Sequence, residues 1–288
     1  MTERLLGGVE LGGTKCIAVV GAPGRIEDRL EVPTGAPGET LTALARWLSA
    51  RQPAAIGIAS FGPVILDRAD ARYGRVASAP KPGWDGADVL APFRGDTAML
   101  ALDTDVGAAA LAEAGLGAAR NADRSLYVTV GTGIGGAWVS GGKLVHGARH
   151  PELGHLLLRR EPGDGFAGVC PFHGDCAEGL ASGPAVAARA GRSPESVADD
   201  DPAWDATAKV LGALLASLLR ALPVDAVVLG GGVVTGRPSL LTRIADALDI
   251  QLAGYPPGLD AHALVRPAAL GRDAGPVGAL ILAANACP

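Results

Sequence analysis

The chain has 288 residues, 48% of them hydrophobic, with 25 Lys and Arg against 30 Asp and Glu for a net charge of −5. That length can bury one large core or two modest ones. Its mild acidity and the lack of any Lys/Arg run exclude the basic face that nucleic acid requires. The most apolar windows, residues 106–118, 210–222 and 277–287, fall short of the roughly 20 residues of a membrane helix, and Glu113 interrupts the first. The first residues show no charged leader ahead of a long apolar stretch, so no signal peptide and a cytoplasmic location are expected.

The opening reads as strand, turn, strand: residues 5–11, then Gly12, Gly13, Thr14 and Lys15, then 16–20. A third strand is predicted over 26–33 and a helix over 40–51, bounded by Pro37 and Pro53. Residues 55–59 predict a buried strand, and 60–97, rich in Gly, Pro and Asp, predict loop. Another buried strand, 98–103, runs into an Ala-rich helix over 106–119. A second cycle follows. It has a strand at 126–130, a turn at 131–136, strands at 137–140 and 143–146, and an insertion over 147–183. A helix at 203–222, a strand at 226–229, the glycines 230–232 and helices at 239–248 and 276–286 complete it. The repeated strand–turn–strand pattern predicts two related α/β lobes. The expected division is a small lobe over 1–106, with the last helix (276–288) packing back on it, and a large lobe over 107–275.

Three Gly-rich segments each follow an apolar strand: residues 12–15, 131–136 and 230–232. Glycine lets backbone N–H groups approach an anion, and Thr14 and Thr132 add hydroxyl donors. Taken singly, each could be a tight hairpin in a Gly-rich chain. Three together point to a nucleotide phosphate cradle. None has the Walker A pattern, and strand rather than helix follows the Gly-x-Gly-x-x-Gly of residues 131–136, which argues against a dinucleotide site.

Asp105 stands at the end of a predicted strand and the start of a helix, where an Asp is either an N-cap or a ligand-facing acid. Ionised and compact, it could accept a proton from a hydroxyl attacking phosphorus. Asp103 is either a neighbour that supports it or the cap. His155, Cys170, His173 and Cys176 have the spacing to close a tetrahedron around one zinc ion, and that set has no vacancy, which predicts a structural metal and argues against a zinc hydrolase. Glu152 and Glu178 bracket this segment. His146 and His150 lie near it but are not expected as ligands, and His262 is expected on the surface. Trp84 is either a packing anchor or a cleft residue, and Asp199, Asp200 and Asp201 are expected in a solvated loop.

Together these residues resemble the ROK family of sugar kinases over essentially the whole chain. The residues that carry this are 10–15, 104–110, 131–135, 151–155 and 170–184, and the segments Phe61-Gly62-Pro63 and Pro80-Lys81-Pro82-Gly83-Trp84 are similar to the bacterial fructokinase branch. The resemblance implies the two-lobed actin-like (ribonuclease H-like) ATPase fold with a zinc-binding insertion. It implies an ATP-dependent hexose kinase, most specifically a fructokinase, with ATP, Mg2+ and structural Zn2+. Glucokinase, mannokinase or a broad hexose kinase is the alternative, and a non-catalytic sugar sensor lies further off. Asp105 matches the general base. Glu152, His155 and Glu178 match residues that meet sugar hydroxyls, and Thr104, just before the base, is a further substrate-binding residue by the same resemblance. His155, Cys170, His173 and Cys176 match the zinc ligands. Gly12, Gly13, Thr14, Lys15, Gly131, Thr132, Gly133, Gly231 and Gly232 match the phosphate and nucleotide turns. A homodimer is a further implication. Three positions depart from the family pattern. Glu10 stands in place of Asp, and Thr104 in place of an Asn that meets pyranoses, which favours fructose. Gly107 stands in place of Asn; a Gly there costs about 1 kcal/mol of helix propensity relative to Ala and is expected to affect stability or local geometry rather than chemistry.

Overall fold

The computed structural model describes residues 4–78, 81–95, 98–147 and 149–287. Pro80, part of one of the fructokinase-like segments, lies outside them. The chain begins with β1 (Leu6–Leu11), β2 (Lys15–Ala22) and β3 (Arg25–Pro33), then α1 (Pro37–Ser49), β4 (Ala55–Ser60), β5 (Met99–Thr104) and α2 (Asp105–Gly115). β4 is buried at every position because helices cover the sheet, and β1 is buried at every position except Glu10. β3 alternates charged and half-buried residues at the sheet edge, where charge discourages pairing with another chain. Pro37 opens α1, and Leu41, Leu44 and Leu48 form its buried stripe.

The strand order is β3-β2-β1-β4-β5. β1 pairs antiparallel with β2 and parallel with β4, and β4 pairs parallel with β5. The register aligns Glu10 with Ala59 and Ala59 with Asp103.

The second half has β6 (Arg124–Val130), β7 (Ile134–Ser140) and β8 (Lys143–Leu144). Then come α3 (Ala177–Ala181), α4 (Gly183–Ala190), α5 (Pro202–Ala221), β9 (Ala226–Gly230), α6 (Gly232–Thr235), α7 (Pro238–Leu252), α8 (Ala261–Leu264) and β10 (Val265–Pro267). Its sheet runs β10-β9-β6-β7-β8, with β6 antiparallel to β7 and parallel to β9. This is the order of the first sheet over again, with β6 in the place of β1. Two such mixed sheets with covering helices make the actin-like ATPase fold. Trp204, Leu211, Leu214 and Leu248 lie in the second core.

The final helix, α9 (Ala274–Ala286), belongs to the first unit. That unit comprises the chain up to Leu116, Leu144–His150 and everything from Arg272, and the second comprises Gly117–Lys143 and Pro151–Gly271. The expected division after residue 106 would cut α2 in its first turn. The unit boundary instead falls after that helix ends, because α2 packs along α9. The approach is close: a Cβ on Gly278 would lie 1.9 Å from the carbonyl oxygen of Ala108. Gly278→Val should therefore destabilise the protein by about 1–3 kcal/mol, read as a lower urea midpoint at constant slope, because backbone rather than a side chain must yield.

Several elements differ from the sequence reading. Gly135 and Gly136 are strand residues of β7, not part of a turn; Gly136 is small because Leu153 Cδ1 would lie 2.5 Å from a Cβ there. The strand expected at 143–146 is the two residues of β8. The sequence predicts no helix within the insertion, but Cys176 caps α3 there through its thiol. Among the described residues, no helix is long and apolar enough to cross a membrane.

Candidate active site

In the first unit the turn after β1 is held from three sides. Gly12 N–H donates to the carbonyl of Lys15 (3.1 Å), Thr34 Oγ1 to that of Gly12 (2.7 Å) and Lys81 Nζ to that of Gly13 (3.0 Å). Thr14 is exposed at its tip, and the Lys15 ammonium pairs with Glu31 at 2.9 Å. Glu10 precedes the turn. Burial first, and the charge of Asp105 second, raise its carboxyl from 4.5 to about 7, against the opposing pull of Lys15 and Arg29.

β5 delivers Asp103, Thr104 and Asp105 to the head of α2. The N-cap is Thr104, whose buried hydroxyl accepts from Gly107 N–H at 2.9 Å, so neither Asp is the cap. Asp103 is buried and paired. Its Oδ1 accepts from Thr104 N–H (2.7 Å), and its Oδ2 lies 2.8 Å from His146 Nε2. That bond raises the imidazole above its ordinary value. A Cβ on Gly107 would stand 2.3 Å from Asp103 Oδ1, so the departure at 107 makes room for the Asp103–His146 pair. Among the described residues no other side chain bonds Asp105. Its carboxylate accepts from the backbone N–H groups of Val106 (2.8 Å) and of Asp105 itself, and burial pushes it from 3.8 up to about 6. A carboxylate poised just below neutral suits a general base.

In the second unit Gly131, Thr132 and Gly133 form a tight turn in which Gly131 N–H donates to Gly133 O at 2.9 Å. Glu178, in the first turn of α3, accepts from Ile134 N–H through Oε2 at 2.9 Å, and only a glycine at 133 leaves it space, since a Cβ would lie 2.5 Å from that oxygen. Gly183 N–H ties α4 to Gly131 O at 2.7 Å. Gly231, at φ +84°, turns the chain from β9 into α6. A cavity of about 700 Å³ opens here, lined by Gly131, Thr132, Gly183, Glu195, Gly232 and Arg237 among others. Trp204, itself buried, forms one wall and carries the Arg237 guanidinium 4.2 Å from its ring centroid; Asp199 and Val197 O hold that guanidinium in place. The walls at Trp204, Glu195 and Arg237 had no readable signal in sequence.

His155, Cys170, His173 and Cys176 converge in the same unit, with one ligand atom from each inside a 4.8 Å group. His155 Nδ1 lies 3.7 Å from Cys170 Sγ and 3.6 Å from Cys176 Sγ, and His173 Nδ1 lies 3.8 Å from Cys170 Sγ. Tetrahedral zinc with its usual N and S bond lengths gives ligand–ligand edges of about 3.6 Å, so the donor set fits that ion. Burial pushes the Cys176 thiol up to about 11, and the neighbouring Cys170 adds to this; a bound cation reverses that preference. Glu152 is exposed at the start of the short turn that carries His155.

The remaining residues have structural roles. Trp84 is fully buried, donates to Gly35 O and meets Phe61 edge-on. His262 pairs with Asp246 at 3.0 Å, Asp201 caps α5 and Asp199 bonds Arg237.

The ROK family description matches residues 6–286. This chain belongs to the ROK family. A fructokinase of Pediococcus pentosaceus is 39% identical over 283 residues, covering 97% of each chain. A glucokinase of Halalkalibacterium halodurans is 29% identical, covering 96% of this chain and 94% of its own. Among solved structures, a ROK hexokinase from Thermus thermophilus superposes with a TM-score of 0.82 at 31% identity, covering 98% of each. A ROK family glucokinase from Streptomyces griseus, in complex with glucose and AMPPNP, superposes with a TM-score of 0.76 at 28% identity, covering 98% of this chain and 99% of its own. The Gly-rich turns, the acid at the head of α2 and the His/Cys cluster all lie within the residues matched by the family description.

Proposed function

We propose that this chain is an ATP-dependent fructokinase that converts D-fructose and ATP to fructose 6-phosphate and ADP. The observation that carries the reading is near-full-length likeness to a fructokinase at 39% identity, ten points above the glucokinase. In this reading Asp105 takes the proton from the primary hydroxyl as its oxygen attacks the γ-phosphorus. The phosphorus–oxygen bond to the β-phosphate breaks, and ADP leaves with the charge. The turn of the first unit offers the backbone N–H groups of Gly12 and Gly13 and the Thr14 hydroxyl to phosphate, and the turn of the second unit those of Gly131 and Gly133 and the Thr132 hydroxyl. Gly231, Gly232 and the Trp204 wall receive the nucleoside. Lys15 adds a positive charge near the first turn from its pair with Glu31. Magnesium that arrives with ATP supplies further neutralisation of the phosphate oxygens.

Glu152, His155 and Glu178 meet the sugar hydroxyls. Glu178 does so through Oε1, since Oε2 is taken by Ile134 N–H, and His155 through Nε2, since Nδ1 faces the cysteines. Thr104 contributes through the helix cap rather than a direct sugar contact, because its hydroxyl is buried and bonded. His155, Cys170, His173 and Cys176 hold a structural zinc ion, which when bound supplies a closed brace for His155 and α3. Both substrates are cytoplasmic, and the protein works there.

The test is ATP turnover on fructose, glucose, mannose and N-acetylated sugars. We expect the highest kcat/KM on fructose. A higher value on glucose or mannose would give the broader hexose-kinase reading, and no ATP-dependent phosphorylation of any sugar would sink the proposal.

A further inference from the structure

Glu10 is one methylene longer than the Asp expected at its position, and the fold has a place for the extra length. Glu10 lies near the end of β1, in the row of the sheet that also contains Ala59 and Asp103, two residues before Asp105. α9 packs over β1, β4 and β5 in the same unit. Its second residue is Gly275. A Cβ built there would stand 2.2 Å from Glu10 Oε1, 2.4 Å from Cδ and 3.1 Å from Cγ. The carboxyl therefore occupies the volume that any other residue at 275 would fill. The following residue, Pro276, has no N–H, and the positive end of the 13-residue helix suits an acidic group at that point. The charged groups facing Glu10 are Asp105, Lys15, Arg29 and Glu31. Arg29 is held by Asp273, the N-cap of α9, and Lys15 by Glu31, so the two cations near Glu10 are tied to other acids.

We propose that Gly275 is a positioning residue of the reaction, leaving the head of α9 without a Cβ so that the Glu10 carboxyl is seated beside Asp105. Glu10 in that seat sets the field in which Asp105 takes up its proton. The inference rests on the reading of Asp105 as the base. Nothing in the backbone opposes an alanine at 275, because the atoms it meets are the movable end of one side chain, and alanine is the better helix former. Gly275→Ala should fold normally and displace the carboxyl alone.

The experiment is a double-mutant cycle on the full chain, with kcat and KM measured for fructose and ATP alongside thermal melting. Gly275→Ala is expected to lower kcat about tenfold while both KM values stay within about twofold. In the Glu10→Ala background no carboxyl is left for a Cβ at 275 to displace, so the same substitution should change kcat by less than about twofold. Equal losses in both backgrounds would assign Gly275 to helix packing, and no loss in the first would show that the seat is irrelevant; either result overturns the proposal. Asp105→Asn is measured beside them. Full activity in that variant removes the base, and the inference falls with it, whereas a dead Asp105→Asn with an unresponsive Gly275→Ala defeats the inference alone.

Discussion

Asp105→Asn should lower kcat by a factor of about 10²–10⁴ and leave both KM values nearly unchanged. The amide matches the carboxylate in shape and keeps an oxygen for Val106 N–H, but it cannot take a proton from the attacking hydroxyl. The pH dependence follows from the same burial. Because Asp105 must be ionised to act, and folding lifts it from 3.8 to about 6, the rate on fructose should climb as pH rises through about 6. Stability has the opposite slope. The folded protein holds this proton more tightly than the unfolded chain, so stability falls as pH rises from about 3.8 through about 6. Glu10, lifted from 4.5 to about 7, contributes with the same sign over its own window. Asn at 105 removes the Asp105 part, so the variant should melt no lower than the parent at pH 7. Loss of turnover together with loss of melting temperature would instead indicate misfolding. A variant that keeps turnover within a few fold of the parent would rule out Asp105 as the base.

β4 and β9 were legible because both sheets are covered, which makes them apolar runs ended by a polar or glycine residue, and β1 was legible although Glu10 interrupts its apolar run. The repeated strand–turn–strand pattern was legible for the same reason, but the order of strands within each sheet was not. The His155, Cys170, His173 and Cys176 set was legible because tight spacing leaves few ways for two thiols and two imidazoles to lie other than together. Long-range pairings left no trace in the chain. His146 meets Asp103 across 43 residues, and Arg237 stacks on Trp204 across 33. Gly107 looked like a weak first-turn residue for α2; it is small because Asp103 occupies the space its side chain would take. α3 was missed because its cap is a cysteine, which propensity does not rank among capping residues, and the five-residue helix is too short for periodicity to appear. Gly135 and Gly136 suggested a turn by composition alone, although both lie in β7 and Gly136 provides clearance for Leu153.

With a zinc ion held by these four side chains as proposed, Cys176→Ser should abolish its binding and destabilise the protein by on the order of 3–5 kcal/mol, within the range reserved for lost metal sites and broken buried networks. Serine can still cap α3, because a hydroxyl accepts from Gly179 N–H at least as well as a thiol. What it removes is the fourth ligand, and with it the closed tetrahedron. The consequence should reach the phosphate turn by a short route. Cys176 fixes the start of α3, α3 carries Glu178, and Glu178 Oε2 holds Ile134 N–H beside Gly133. When that anchor loosens, the turn that cradles phosphate loses its brace, so KM for ATP should rise several-fold while Asp105 keeps its chemistry. Cys287→Ser is the matched control: its thiol lies outside the ligand set, and zinc content, melting and KM should all stay at parental values. A Cys176→Ser protein that retains one equivalent of zinc and the parental melting temperature would show that the four side chains do not form the brace. One that loses the metal yet binds ATP unchanged would break the link from Cys176 through Glu178 to the turn.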